Sequence, residues 1–382
     1  MSGKPKILIV AGEVSGDHHA ADLVAAIQAR SGNRYQFLGI GGDTMRGHGV
    51  ELLYHISDMA FLGIAEIIRH LPFIKQVKRD LQTEMKKGVE AVILVDYPGF
   101  NLRVARDAAE LGVPVIYYIS PQLWAWGQKR VEKVRRYVDL MLVLFRFEKD
   151  FYAGHGIEAA FVGHPLVDQI RPEENDRAFR EEHGIPEGRR ILALLPGSRK
   201  MEVAKLLPIM AESARQLCEE YDVLPIIGKS SQLPQALYDE VLPKDREWQT
   251  VTGQTHRLMQ HAYLAMVASG TATLETGFLQ TPMMVCYAVA PLTYYFGRMV
   301  IKIPNIALAN IVLGKAAVPE FIQKDLNVPN LVRGAGRFLR DEGYYRSVRE
   351  DLKGIREALG EPGASQRAAA EIVEFLDIIP RT

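Results

Sequence analysis

Cysteine is nearly absent from this 382-residue chain. Cys218 and Cys286 are too few for a disulfide scaffold and have no metal-ligand spacing, which suits a reducing cytoplasm. Charge of one sign is missing too. Lys+Arg and Asp+Glu both number 46, so no net field draws in nucleic acid, and none is expected as a partner. CxxC, HExxH and GxSxG do not occur, which argues against thiol redox, metalloprotease and α/β-hydrolase chemistry. Gly228-Lys229-Ser230 lacks the upstream P-loop glycine, where Val223 stands. Gly39-Ile40-Gly41-Gly42 has Thr44 where a dinucleotide fingerprint needs its last glycine. No apolar leader precedes Lys6–Ala11, so no secretory signal is expected. The uncharged stretch Thr276–Gly297 is long enough to span a bilayer. It contains Pro282 and Pro291, however, and reads as a buried strand, a turn and a helix start.

What is present is a globular composition, 48% hydrophobic and 24% charged, on a chain long enough for two cores. Short apolar runs alternate with helical patterns. Lys6–Ala11, Tyr35–Gly39, Ala91–Val95, Val113–Ile119, Leu140–Leu144 and Ala160–Val162 read as strands, with helices at Ala20–Arg30, Leu71–Lys87 and Leu102–Leu111. After Pro165 the rhythm restarts with Ile191–Leu195, Val223–Ile227, Thr250–Val251, Leu264–Ala268 and Met283–Tyr287. Near-continuous apolar strands spaced by helices imply parallel sheets covered on both faces. The fold class predicted is α/β, with two doubly wound Rossmann-like domains facing one cleft. An N-terminal domain is expected over 1–168 and a C-terminal domain over 169–340. Residues 341–382 read as a helical tail packing back across the domains.

Ligands of open parallel sheets collect beyond the carboxyl ends of the strands, and those ends carry the unusual residues. Ala11 runs into Gly12-Glu13-Val14-Ser15-Gly16-Asp17 and then His18 and His19; Val95 into Asp96-Tyr97-Pro98-Gly99-Phe100-Asn101; and Ile119 into Ser120-Pro121-Gln122-Leu123-Trp124-Ala125-Trp126. Val162 leads to Gly163-His164-Pro165, Leu195 to Pro196-Gly197-Ser198-Arg199, and Ala268 to Ser269-Gly270-Thr271-Ala272-Thr273-Leu274-Glu275. The Ser269–Thr271 start of a helix is either an anion cradle for a diphosphate or an ordinary cap. Arg199 serves as its bidentate partner or as a surface ion pair. Glu275 accepts ribose hydroxyls or caps the helix. Asp96 is the first candidate for a general base, because it stands directly at a strand end with Pro98 stiffening the turn. Asp17 is either a second base or a cap, and Glu13 joins them as a catalytic candidate. Ser15, Gly16, Asn101, Trp126 and His164 are expected along the acceptor side of the cleft, with hinge packing as the alternative for His164.

These motifs, together with Pro304-Asn305-Ile306-Ala307-Leu308-Ala309-Asn310, closely resemble the lipid-A-disaccharide synthase family, in order over roughly Ile7 to Leu331. The resemblance implies a B-type glycosyltransferase fold. The implied reaction moves 2,3-diacylglucosamine from UDP to the 6-hydroxyl of 2,3-diacylglucosamine 1-phosphate with inversion. It implies Asp96 as base, Arg199 with Gly197 and Ser198 at the diphosphate, and Ser269–Glu275, Asn310 and Gln323 around the nucleotide, with no cofactor and no metal. It further implies glycolipid substrates, a peripheral place at the inner membrane surface, and a homodimer with exchanged C-terminal segments. Two departures stand out. Gly99 replaces a second acid of the family pattern, and Leu62 replaces a methionine. Phe61, Leu62 and Ile64, with Arg69 beyond, are expected to form a loop that meets acyl chains or the bilayer. Three rivals remain at this level: a UDP-sugar 2-epimerase, a glycosyltransferase with a non-lipid acceptor, and a non-catalytic sugar-nucleotide sensor.

Overall fold

A computed structural model describes residues 3–59, 70–173, 177–244, 247–289 and 304–379. The chain forms two compact units, one of residues up to Asp168 together with the segment from Leu359, the other of Gln169–Ala358. In the first unit seven strands pair in parallel: β1 (Lys6–Ala11), β2 (Gln36–Gly41), β3 (Glu51–His55), β4 (Ala91–Val95), β5 (Val115–Tyr118), β6 (Leu140–Val143) and β7 (Ala159–Phe161). Their order is β3-β2-β1-β4-β5-β6-β7. The second unit has β8 (Arg190–Leu195), β9 (Val223–Lys229), β10 (Gln249–Thr252), β11 (Leu264–Ala268), β12 (Met283–Tyr287) and β13 (Glu320–Ile322). Their order is β10-β9-β8-β11-β12-β13, again all parallel.

The sequence pattern explains the core. All five residues of Ala91–Val95 are buried, as are all but the first of Lys6–Ala11, because both faces of these central strands carry helices. The helix Leu71–Lys86 turns Val77, Leu81 and Met85, four residues apart, onto the sheet. Each such side chain contributes roughly 1.5–3 kcal/mol on burial. β3 and β13 were not expected. Both lie on sheet edges and are only partly buried, so neither has the continuous apolar run that marks the inner strands.

Both sheets reverse their winding at one place. In the first unit this lies between β1 and β4; in the second, between β8 and β11. Successive connections leave in opposite directions there, which opens a crevice beyond the strand ends. The C-terminal helices divide between the units. Helix Glu342–Leu359 packs almost entirely within the second, whereas Ala364–Ile378 packs on helix Val14–Ser31 of the first. Asp168 accepts hydrogen bonds from the Gly363 and Ala364 amides at 2.7 and 3.2 Å, and Arg34 pairs with Asp377 at 2.6 Å. Among the described residues no helix is long and apolar enough to cross a membrane. The expected acyl or membrane loop, with Phe61, Leu62, Ile64 and Arg69, lies outside the described residues.

Candidate active site

Ala11 and Val95 are the last partners of β1 and β4, so Gly12–Glu13 and Asp96–Tyr97 leave the first sheet side by side at its switch point. Asp96 and Tyr97 are consecutive left-handed residues, with φ of 45° and 47°. Such strain costs on the order of 1–3 kcal/mol per residue and clusters at functional sites. The turn is held from beneath. The Asn101 Nδ2 donates to the Asp96 and Val95 carbonyls at 2.8 and 3.1 Å, and the Tyr117 hydroxyl donates to the Asp96 carbonyl at 2.7 Å. Burial, then the nearby Glu13 charge, pushes the Asp96 carboxyl up to about 6, against the pull of the Tyr97 amide. Glu13 itself is exposed at the start of helix Val14–Ser31. A carboxylate poised near neutrality is more basic than a free one, and that is what proton abstraction requires.

The other residues expected in this region divide. Asp17 is buried and its carboxylate accepts the amides of Gly42, Thr44 and Met45 at 2.6, 3.1 and 3.1 Å. Burial raises its pKa, but these bonds outweigh that and leave it below the usual value; Asp17 caps the helix Asp43–Gly47, the second of its two expected roles. Asn101, 0% exposed, supports the Asp96 turn through its Nδ2. Gly16 is buried, and a Cβ there would contact Ala11 at 3.5 Å; it serves helix-to-strand packing. His164 is buried, accepts the Leu166 amide at 3.1 Å on Nδ1, and is pushed down to about 3 by burial and then by His19. It is a neutral, turn-holding residue. Ser15 and Trp126 are exposed, and the Arg130 guanidinium lies 5.0 Å from the centroid of the Trp126 ring. His18 meets Thr44 Oγ1 at 3.2 Å. Gly99 is exposed with open space around it, so the missing acid leaves no gap in the packing.

Sequence reasoning missed Glu148. Its carboxylate accepts Trp124 Nε1 at 3.2 Å and the Leu144 and Phe145 amides at 3.2 and 3.1 Å, which anchors the Ser120–Trp126 loop. Burial pushes its pKa up to about 7. The signal was available as a Glu three residues after Phe145, the spacing of a capping box.

At the second switch point Pro196–Arg199 follows β8 and Ser269–Thr271 follows β11. Gly197 has φ of 101°, and a Cβ on it would lie 2.3 Å from Glu202 Oε2. Arg199 caps the helix Lys200–Glu220. Its amide donates to Glu202 at 3.3 Å, and its guanidinium pairs with Glu202 at 2.7 Å while 78% exposed. An exposed pair of this kind is worth about 0–1 kcal/mol, so it holds the guanidinium only weakly. Ser198 is exposed beside it. Glu202 and Tyr287, whose hydroxyl feels both Glu202 and Arg199, were not foreseen.

The Ser269 amide donates to the Cys286 carbonyl at 3.0 Å, and its hydroxyl to the Ile306 carbonyl at 3.4 Å. Gly270 has φ of 156° ahead of helix Thr271–Phe278, whose first residue is exposed. Thr273 is 0% exposed and donates to the Gly270 carbonyl at 2.8 Å, so it shapes the turn from inside. Glu275 pairs with His256 at 3.5 Å. Asn310, expected near the nucleotide, is 0% exposed, with its amide bonded to Val318 and Glu320. Gln323 has φ of 54° and donates to the Val289 carbonyl at 3.2 Å. Among the described residues no group of three His, Cys, Asp or Glu side chains could hold a metal ion.

A family model described as lipid-A-disaccharide synthetase matches residues 7–370. The chain belongs to the lipid-A-disaccharide synthetase family. Within that family it is 41% identical over 374 residues to the lipid-A-disaccharide synthase of Geobacter sulfurreducens, covering 97% of each chain. It is 38% identical over 382 residues to that of Myxococcus xanthus, covering 98% of this chain and 99% of the relative. Solved structures share the fold with this family member at low identity. A putative UDP-N-acetylglucosamine 2-epimerase from Listeria monocytogenes superposes with a TM-score of 0.63 at 13% identity, over 99% of this chain and 98% of its own. The calicheamicin glycosyltransferase CalG4 gives 0.61 at 15%, over 99% and 100%. The α/β class with two Rossmann-like parallel sheets, expected from the strand rhythm, is what the structure and these neighbours display.

Proposed function

We propose that this chain is an inverting glycosyltransferase that forms the lipid A disaccharide. It moves 2,3-diacylglucosamine from UDP to the 6-hydroxyl of 2,3-diacylglucosamine 1-phosphate, giving the β-1,6 disaccharide 1-phosphate and UDP. Family membership supports the reaction class. The observation that carries the mechanism is a base-like Asp96, pushed up to about 6, in a strained turn at the first unit's switch point.

In this proposal the second unit holds UDP. Arg199, the Gly197–Ser198 amides and the Ser269–Thr271 helix start meet the diphosphate, and Glu275 meets the ribose. The helix end alone supplies about 0.3–1 kcal/mol when exposed and up to ~2 when partly buried, so the guanidinium is needed as well. Donors already aimed at the leaving diphosphate stabilise the charge that builds there, with no metal assigned to that task. Asp96 takes the proton of the acceptor hydroxyl as it attacks, a contribution of typically 10²–10⁴-fold. Glu13 keeps Asp96 basic. Trp126 and Ser15 face the acceptor.

Peripheral association with the inner membrane surface, through the loop containing Phe61, Leu62, Ile64 and Arg69, belongs to the same proposal. So does a homodimer that exchanges C-terminal segments. Exchange would place the contacts of helix Ala364–Ile378 with helix Val14–Ser31 between two chains instead of within one.

The test is purified protein incubated with UDP-diacylglucosamine and the monosaccharide phosphate lipid, with products followed by mass spectrometry. Disaccharide and UDP are expected only when both substrates are present. Sugar isomerisation without acceptor, or UDP binding with no turnover, would overturn the reading in favour of an epimerase or a sensor.

A further inference from the structure

The second unit contains a carboxylate to which the proposed mechanism gives no part. Glu320 stands on edge strand β13, opposite Val285 of β12. Its Oε2 accepts the Ile306 amide at 3.0 Å. Its Oε1 accepts the Ala307 amide at 3.1 Å and Asn310 Nδ2 at 2.8 Å. Asn310 closes the bracket, exchanging two bonds of 2.9 Å with the backbone of Val318. Three donors on one carboxylate fix the backbone that enters helix Leu308–Leu313 from a strand more than ten residues away. The Ile306 carbonyl, so fixed, accepts the Ser269 hydroxyl at 3.4 Å. That is long for an O–H···O bond, so the hydroxyl is guided to its place and remains easy to recruit by an incoming oxyanion. The Ser269 amide is tied at the same time to Cys286 on β12, next along the strand from the partner of Glu320.

We infer that Glu320 is a positioning residue for nucleoside diphosphate binding: through the Ile306–Ala307 backbone it sets the Ser269 hydroxyl that meets the phosphate. This rests on the reading of the second unit as the holder of UDP. A carboxylate suits the task because it accepts at both oxygens and donates at neither. The carboxamide of Glu320→Gln would turn a donor towards one of the two backbone amides and break the bracket on that side.

The experiment measures UDP affinity by calorimetry, kcat, KM for the sugar nucleotide, and the thermal midpoint, for the wild type and Glu320→Gln. The expected result is UDP affinity and KM worsened about 10-fold or more, kcat lowered as well because the same donors meet the leaving diphosphate, and a cooperative thermal transition at a somewhat lower midpoint. A folded Glu320→Gln protein with wild-type UDP affinity overturns the inference. If the variant does not fold, amide exchange of the wild type decides. Added protection of residues 304–310 on binding UDP supports the bracket, and unchanged exchange there during binding overturns it. A wild type that fails to bind UDP at all overturns the reading of the second unit itself, and so is distinguishable from a failure of Glu320 alone.

Discussion

Gly12 and Tyr97 occupy space that admits no side chain at residue 12: a Cβ there would lie 2.2 and 2.3 Å from the Cδ1 and Cγ atoms of the Tyr97 ring. Cγ is the root of the ring, so relief takes either a change of the Tyr97 χ1 rotamer or a shift of the left-handed backbone that Tyr97 shares with Asp96. Overpacking of this kind costs typically 1–3 kcal/mol. Gly12→Ala is expected to displace the Asp96 turn and lower turnover at least about 10-fold, with UDP affinity unchanged. Steady-state kinetics beside calorimetry checks this, and wild-type turnover would show that the turn tolerates the shift.

Asp96→Asn should reduce turnover by ~10²-fold or more while UDP still binds normally. The same variant tests the proton linkage. The folded state raises the Asp96 pKa from 3.8 to about 6, so it holds the proton more tightly than the unfolded chain. Stability from this group is therefore present below pH 3.8, is lost as pH rises towards 6, and stays lost above. Relative to wild type, Asp96→Asn should gain on the order of 1–3 kcal/mol between pH 4 and pH 7.5. Denaturant melts at the two pH values measure it; parallel curves would mean Asp96 titrates normally.

Glu13 raises the Asp96 pKa by charge alone. Glu13→Gln should accordingly move the acid limb of kcat/KM to lower pH, because less repulsion opposes ionisation of the base. A limb that stays put removes Glu13 from this role, whatever happens to the maximum rate.

Gly197→Ala faces two obstacles, a φ of 101° and the Glu202 carboxylate 2.3 Å from the new atom. The Pro196–Arg199 turn must open, at a cost of roughly 1–3 kcal/mol. Weaker UDP binding, by about 10-fold, is the expected readout, with helix content preserved in circular dichroism. Unaltered affinity would show that the diphosphate does not use this turn.

Glu148→Ala leaves the Trp124 indole N–H and two backbone amides without their acceptor. Unpaired buried donors cost about 1–3 kcal/mol each, which exceeds what is gained by deleting a buried charge. A lower thermal midpoint and altered tryptophan emission are expected. A midpoint at or above wild type would contradict the anchoring role.

The inner strands, and the polar turns at their carboxyl ends, were legible in the amino-acid order alone. Lys6–Ala11, Ala91–Val95, Leu264–Ala268 and Met283–Tyr287 form as the apolar runs predict, because a strand buried on both faces writes its burial into consecutive residues. The edge strands Glu51–His55 and Glu320–Ile322 were not legible, since half-exposed residues carry no such run. Strand order came from the folded chain alone, and with it the pairing of Glu13 and Asp96 at one switch point and of Arg199 and Ser269 at the other. The fold also settled which polar residues are fasteners. Asp17 caps residues 42–45, Asn101 supports Asp96, Asp168 caps the helix at Ala364, and Glu320 brackets Ile306. A hydrogen bond joins whatever the fold brings within about 3 Å, and for most of these groups the partner lies far along the chain, beyond the reach of any local pattern.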